Sequence, residues 1–242
     1  MSETFAAILT AHLFGDFVFQ TDWMARWKRR IPVLALHAAI VAALSCLSLG
    51  SFDWRIPLTV FLTHSAVDGI KARFCRDSLA SLLADQFAHL AVLLALACRF
   101  PDAAMHGWWI AALKPDLSKW YFASLSLCSG LVLCVPAGGI LIARFTRRFT
   151  GEIRDHDIAG LTRGGQYIGW LERSLTLLLV LMGQPGGIGF LIAAKSILRF
   201  SEIRDHSQRK VAEYIIIGTF LSFGWALTIS VLTQRALKYW IP

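Results

Sequence analysis

Residues 31–50 read IPVLALHAAIVAALSCLSLG, a run of twenty residues without an Asp, Glu, Lys or Arg. A helix needs about 20 predominantly apolar residues to cross the hydrocarbon core of a bilayer. Backbone polar groups cannot stay unpaired in lipid, so a helix is expected here rather than a strand. The stretch therefore predicts a membrane-spanning helix.

The rest of the chain repeats this apolar pattern. Hydrophobic residues make up 56% of the 242 residues and charged residues only 17%, whereas a soluble domain carries about 25% charged residues. We predict an all-α, polytopic transmembrane bundle of about eight helices, or seven spans with a re-entrant or interfacial helix. The predicted helices cover residues 3–20, 31–50, 56–73, 80–99, 119–143, 165–183, 187–200 and 211–234.

The chain is expected to divide into two regions. Residues 1–130 would form a four-helix membrane bundle, and residues 131–242 a second four-helix region with two cytoplasmic EIRDH loops, at 152–156 and 202–206. The net charge of +8 comes from Lys and Arg residues that lie mostly in loops on one predicted side. That side is expected to be cytoplasmic by the positive-inside rule. The charge therefore indicates membrane lipid as a partner and no nucleic acid, and it leaves homo-oligomer formation open.

Ionisable residues recur inside the first four predicted helices. Four histidines are almost evenly spaced, and three of them have an Asp four residues away, on the same helix face. These residues are His12 with Asp16, His37, His64 with Asp68, and Asp85 with His89. With a rise of about 1.5 Å per residue, they fall roughly 6–15 Å from the cytoplasmic helix ends. We therefore predict one polar layer in the cytoplasmic half of the bundle.

Histidine nitrogens and carboxylate oxygens are the ligands that zinc, manganese and iron prefer. The layer has more ligands than one four-coordinate ion needs, so one or two divalent ions are expected, with zinc as the first choice and manganese or iron as alternatives. The predicted metal ligands are His12, Asp16, His64, Asp68 and His89. Catalytic or supporting roles are predicted for Asp85, His37 and Lys71, which could hold a phosphate or pair with Asp68.

Four further polar residues are predicted to bind an anionic substrate: Gln20, Gln86, Arg173 and Lys195. For the last two, an ordinary alternative is an ion pair that joins Glu172 or Glu213 to Lys195 or Arg199. Such pairs are expected wherever charged groups enter a membrane.

Several functions fit this pattern. The first is a metal-dependent hydrolase that acts on a phosphorylated or lipid-linked substrate, since bound metal ions activate water. The second is a cation or proton transporter that uses the same layer, and the third is a non-catalytic anchor or sensor that binds partners through its EIRDH loops. The His and Asp residues could also pair only with one another between helices.

Three stretches resemble a bacterial membrane-protein family, domain of unknown function 3307, over about residues 5–130. They are HLFGDFVFQTDWMA at 12–25, THSAVDGIK at 63–71 and DQFAH at 85–89. Residues 169–173, 194–196 and 212–214 are similar to the C-terminal extension of longer members. The resemblance implies a multi-pass protein of the bacterial inner (cytoplasmic) membrane, and it implies no particular activity.

Two weaker similarities point to hydrolysis. Thr63-His64-Ser65 is similar to a helical step of YdjM-type inner-membrane proteins, which are described as metal-dependent hydrolases. The His–Asp pairs on helices are similar to those of the helical zinc phospholipase C and P1-nuclease fold. Both similarities imply a metal-dependent phosphoester hydrolase.

Overall fold

The computed structural model describes residues 1–51, 53–150, 163–200 and 209–242. All regular elements in these ranges are helical, so the predicted all-α class is confirmed. The elements are α1 (Ser2–Phe14), a first π-helical turn (Gly15–Phe19), α2 (Asp22–Trp27), α3 (Ile31–Leu49), α4 (Arg55–Phe74), α5 (Leu79–Arg99), α6 (Trp108–Ala112), α7 (Pro115–Val132), a second π-helical turn (Leu133–Ala137), α8 (Gly138–Thr150), α9 (Gly164–Leu181), α10 (Gly187–Phe200) and α11 (Arg209–Trp240).

The predicted count of about eight spans is not confirmed. Four helical stretches of the described chain are long and apolar enough to cross a membrane: Ile31–Leu49, Leu79–Arg99, Leu117–Phe149 and Lys210–Trp240. Helix α4 is long enough, but its polar groups, among them Asp68 and Lys71, lower its hydropathy. The two EIRDH loops lie outside the described residues.

The ends of α3 and α5 have recognisable local causes. Pro32 lies in the first turn of α3, where its missing N–H costs nothing. The helix ends at Gly50, whose φ of 63° lies in the left-handed region that favours glycine. Helix α5 begins after Ser78, whose hydroxyl accepts a hydrogen bond from the Ser81 N–H. These ends set the lengths of two helices that carry ionisable residues.

Residues Met1–Val132 and Ala236–Pro242 form one compact unit. Helix α1 is enclosed by α3, α5 and α7, and α4 packs against α3 and α5. The buried apolar residues of this unit, which we call the unit-1 core, include Ala7, Ile8, Val41, Leu49, Ile56, Val60, Leu93 and Leu96. In α1 and α4 these residues come before the histidine in the sequence, and in α3 and α5 they come after it. They therefore lie towards one end of the bundle, on the same side of the four histidines.

Residues Leu133–Arg235 form a second compact unit. Pro136 lies in its π-helical turn. The buried Arg173 guanidinium donates from Nη2 to the Val135 carbonyl at 3.0 Å and from Nη1 to the Ser222 hydroxyl at 3.1 Å. Arg173 thus ties α9 to the turn and to α11.

Lys195 of α10 forms an ion pair with Glu172 of α9, with Nζ and Oε2 2.7 Å apart. The alternative interpretation of these charges as an ion pair is therefore confirmed. The two side chains are 19% and 15% exposed, so most of each is removed from solvent.

Replacement of Glu172 by Leu is expected to lower the free energy of unfolding by about 2 kcal/mol, since Lys195 would keep a largely buried charge without a counter-charge. Denaturation by SDS in mixed micelles, followed by tryptophan fluorescence, measures this loss. The double variant Glu172→Leu/Lys195→Met should be less destabilised, because it leaves no unpaired charge. An equal loss in both variants would contradict this account.

Candidate metal centre

Asp16 lies where α1 passes into the first π-helical turn, of which it is the second residue. Such turns are rare in proteins, and those that occur are often found at functional sites. A Cβ atom on the preceding Gly15 would lie 2.5 Å from Val41 Cγ2. Glycine therefore permits a close approach of this segment to α3. Asp16 Oδ1 lies 3.2 Å from Nε2 of His37, which is one turn before Val41 on α3.

The structure brings all seven predicted His and Asp residues into one buried group. None is more than 8% exposed. We call this group the His/Asp cluster; its members are His12, Asp16, His37, His64, Asp68, Asp85 and His89. The pairs at i and i+4 lie side by side, with nitrogen–oxygen distances of 3.8, 3.3 and 3.7 Å for the pairs that begin at His12, His64 and Asp85.

His37 and His64 form the tightest part of the cluster. Their Nε2 atoms are 3.0 Å apart. Asp16 Oδ1 lies 3.2 and 3.3 Å from them, and Asp68 Oδ2 lies 3.4 and 3.3 Å from them. Two ligand atoms on one tetrahedral ion, with bonds of about 2.0–2.1 Å, are roughly 3.3 Å apart. These separations suit a shared ion.

The remaining histidines lie on the other side of His64. The centroid of its ring is 4.2 Å from that of His89 and 5.6 Å from that of His12. Three overlapping sets of donor atoms could each hold an ion: His12, His64 and His89; Asp16, His37 and His64; and Asp16, Asp85 and His89. Asp16 belongs to two of these sets, and Asp68 faces His37 with Oδ2 and His89 with Oδ1, at 3.4 and 3.9 Å. The cluster thus has the donors for more than one ion position.

Several donor atoms of the cluster approach one another without forming aligned hydrogen bonds. Six buried atoms of the cluster have no hydrogen-bond partner among the described residues: Asp16 Oδ1, His37 Nδ1, Asp68 Oδ1 and Oδ2, Asp85 Oδ1 and His89 Nε2. An unsatisfied buried acceptor costs free energy, and more so when it is charged. A cation between the helices would satisfy these lone pairs, which is the observation that most favours metal binding.

Two lysines lie at the more exposed edge of the cluster. Lys71 Nζ is 2.6 Å from Asp85 Oδ2, and its side chain is 26% exposed. It therefore contacts Asp85 rather than Asp68, the acid proposed as its partner from the sequence. Lys28 Nζ is 2.7 Å from Asp68 Oδ2, with 14% exposure. No sequence pattern singles out Lys28, which is one of several cations in the predicted loops.

The predicted substrate-binding residues lie in different places. Gln86 joins the cluster: its Nε2 donates to Asp16 Oδ2 at 3.0 Å, and its Oε1 lies 3.3 Å from His12 Nε2. Gln20 follows the first π-helical turn, and its buried Nε2 has no hydrogen-bond partner among the described residues. Arg173 and Lys195 belong to the second unit, where the contacts given above hold both cations.

The fold and the cluster together define a helical protein whose described residues include four helices that could cross a membrane and buried His/Asp groups that could hold a metal ion. Residues 4–111 match the sequence model of the family described as protein of unknown function, DUF3307. The matched range contains the whole cluster. No curated protein and no solved structure was found to match the chain, so the similarity to YdjM-type hydrolases stays a prediction.

Proposed function

We propose that the chain is a membrane-embedded, metal-dependent hydrolase that cleaves a phosphorylated or lipid-linked substrate at the cytoplasmic leaflet. The convergence of four imidazoles and three carboxylates in one buried cluster, with unpaired donor atoms, supports this function. Ionisable residues inside membrane segments are rare, and apart from those that pair with one another they mark ion and substrate sites.

The distances support one assignment of the metal ligands. His37, His64 and Asp16 would hold one ion, and His89 and His12 a second ion next to it. Asp16 and Asp68 would connect the two positions, since each faces histidines on both sides of His64. Bound divalent ions supply an activated water and stabilise negative charge on a phosphate oxygen.

Asp85 is the proposed general base. Lys71 holds its Oδ2, while its Oδ1 is buried and unpaired, 3.7 Å from His89 Nε2. A water beside the ions would give its proton to this oxygen and form a bond to phosphorus. The phosphorus–oxygen bond to the leaving alcohol breaks, and the proton passes to that alcohol.

The surroundings favour access from one side. Between the cluster and the opposite helix ends lies the unit-1 core, where the buried residues in the described chain are apolar or carry hydroxyl groups. Two of these hydroxyls, of Thr10 and Ser45, donate to backbone carbonyls of their own helices. A transporter would need a second polar path there. At the lysine edge, Trp23 and Trp27 of α2 are 50% and 44% exposed, as suits aromatic side chains at a membrane interface.

Metal analysis and a hydrolysis assay on the same purified sample test this proposal. Wild-type chain should hold about one or two transition-metal ions, as expected for mono- or dinuclear hydrolytic sites, and cleave p-nitrophenyl phosphate. Asp68→Asn should lose at least half of the metal and nearly all of the activity, because its two oxygens face both ion positions. Asp102→Asn, in an exposed loop, is the matched control. Metal-free wild-type protein that is correctly folded would contradict the proposal.

A further inference from the structure

We propose that Lys28 and Lys71 form a binding site for a phosphate group at the exposed edge of the His/Asp cluster. This inference rests on the proposed function, because it concerns the metal-loaded chain. The two residues come from different segments, the loop before α3 and the end of α4. Each is less buried than the carboxylate that it contacts.

The charge of the cluster gives the first argument. With neutral histidines, the three carboxylates and two lysines leave one negative charge on the group. One divalent ion changes this net charge to +1, and two ions change it to +3. A net positive charge in a buried site is costly unless an anion compensates it. The loaded cluster therefore favours an anionic ligand. A single negative charge would compensate the one-ion cluster, whereas a phosphate dianion compensates more of the +3 charge of the two-ion cluster than a neutral molecule or a single carboxylate does.

The position of Lys28 gives the second argument. Asp68 Oδ2 is shared by the Lys28 ammonium and by the donor atoms of His37 and His64, which lie 3.4 and 3.3 Å from it. A metal ion bound by these histidines would compete with Lys28 for the same oxygen. The ammonium, released from this pair, would keep three donors at the edge of the site. Lysine is a common phosphate ligand of this point-charge type.

Lys71 is placed to share the same ligand. Its ammonium contacts Asp85 Oδ2, whereas the unpaired Asp85 Oδ1 faces His89. Lys71 can thus keep Asp85 in place and direct its remaining N–H donors to a phosphate oxygen. The phosphate would lie next to the proposed base and ion positions, where hydrolysis requires it.

Phosphate binding to the metal-loaded full chain, measured by calorimetry in phosphatidylcholine nanodiscs, tests the inference with inorganic phosphate as the probe. We expect Lys28→Met and Lys71→Met each to weaken binding by about tenfold or more, since hydrogen bonds to charged groups contribute roughly 1.5–3 kcal/mol. Metal content should equal that of wild type. Lys→Arg variants should recover part of the affinity, and Lys119→Met, which alters an exposed lysine, should bind as wild type does.

Metal analysis of the same samples separates the two proposals. If the metal-loaded chain binds no phosphate, or if both Lys→Met variants bind phosphate as tightly as the wild type does, the lysine site is overturned and the metal site stands. Chain that takes up no metal overturns both. Nanodiscs that contain phosphatidic acid distinguish the source of the phosphate. If phosphatidic acid competes with inorganic phosphate for the wild-type chain and no longer does so for the Lys→Met variants, the ligand is a lipid headgroup. Phosphate binding that phosphatidic acid leaves unchanged indicates a soluble phosphate and equally supports the site.

Discussion

His64→Ala is expected to leave the purified chain with less than about a tenth of the wild-type metal and to lower hydrolysis at least 100-fold, as the loss of a central metal ligand does. His64 Nε2 lies within 3.3 Å of donor atoms from the first π-helical turn, α3 and its own helix. It belongs to two of the three sets of donor atoms that could hold an ion.

His106→Ala is the matched control, since His106 lies in an exposed turn outside the cluster. Metal added to chelator-treated wild type should raise the melting temperature, because a ligand that binds only the folded state stabilises it. The same addition should leave the melting temperature of His64→Ala unchanged. Full metal content and activity in His64→Ala would overturn the central position that we assign to this residue.

Gly15→Ala is expected to weaken metal binding by at least about tenfold and to destabilise the fold by roughly 1–3 kcal/mol, the usual cost of overpacking. The added methyl group would lie 2.5 Å from Val41 Cγ2, so α1 or α3 would have to move. Asp16 directly follows Gly15, and a shift of even 1 Å would separate its Oδ1 from His37. Competition with a fluorescent zinc chelator measures the affinity.

A second substitution should rescue this variant. Val41→Ala removes Cγ2, the atom that the methyl group of Gly15→Ala would meet at 2.5 Å. The double variant should therefore bind metal more tightly than Gly15→Ala alone, although Val41→Ala by itself leaves a cavity and destabilises the fold. A double variant that binds no better than Gly15→Ala would show that the close approach of these helices does not position Asp16.

The long helices could be predicted from the sequence because long apolar runs have few alternatives in a bilayer. Two short helices, α2 and α6, were missed, since six and five residues are too few for an apolar period to emerge. The predicted count of about eight spans is not confirmed, because helicity and hydropathy are separate properties. Helix α4 is a regular helix, yet its charged residues make it less apolar than its neighbours.

The members of the His/Asp cluster could be predicted as one group because two rules apply to them directly. Spacing at i and i+4 places side chains on one helix face, and the helical rise sets their depth. The ion pair of Lys28 with Asp68 could not be predicted, because it joins residues 40 positions apart through the path of a loop. The partner of Lys71 was misassigned for a related reason: Asp68 is near it in sequence, whereas Asp85 faces it from another helix.

The first π-helical turn constrains the number of residues in this segment, whatever their side chains are. A π-helical turn spans one residue more than an α-helical turn, so the deletion of one residue between Phe17 and Phe19 would return the segment to the α-helical repeat. The residues on either side of the turn would keep their places, whereas Asp16, which lies within the turn, would lose the backbone position that the extra residue gives it. Insertions and deletions should therefore be tolerated less well here than changes of side chain, and alignments of related chains should keep the length of this segment even where its residues differ.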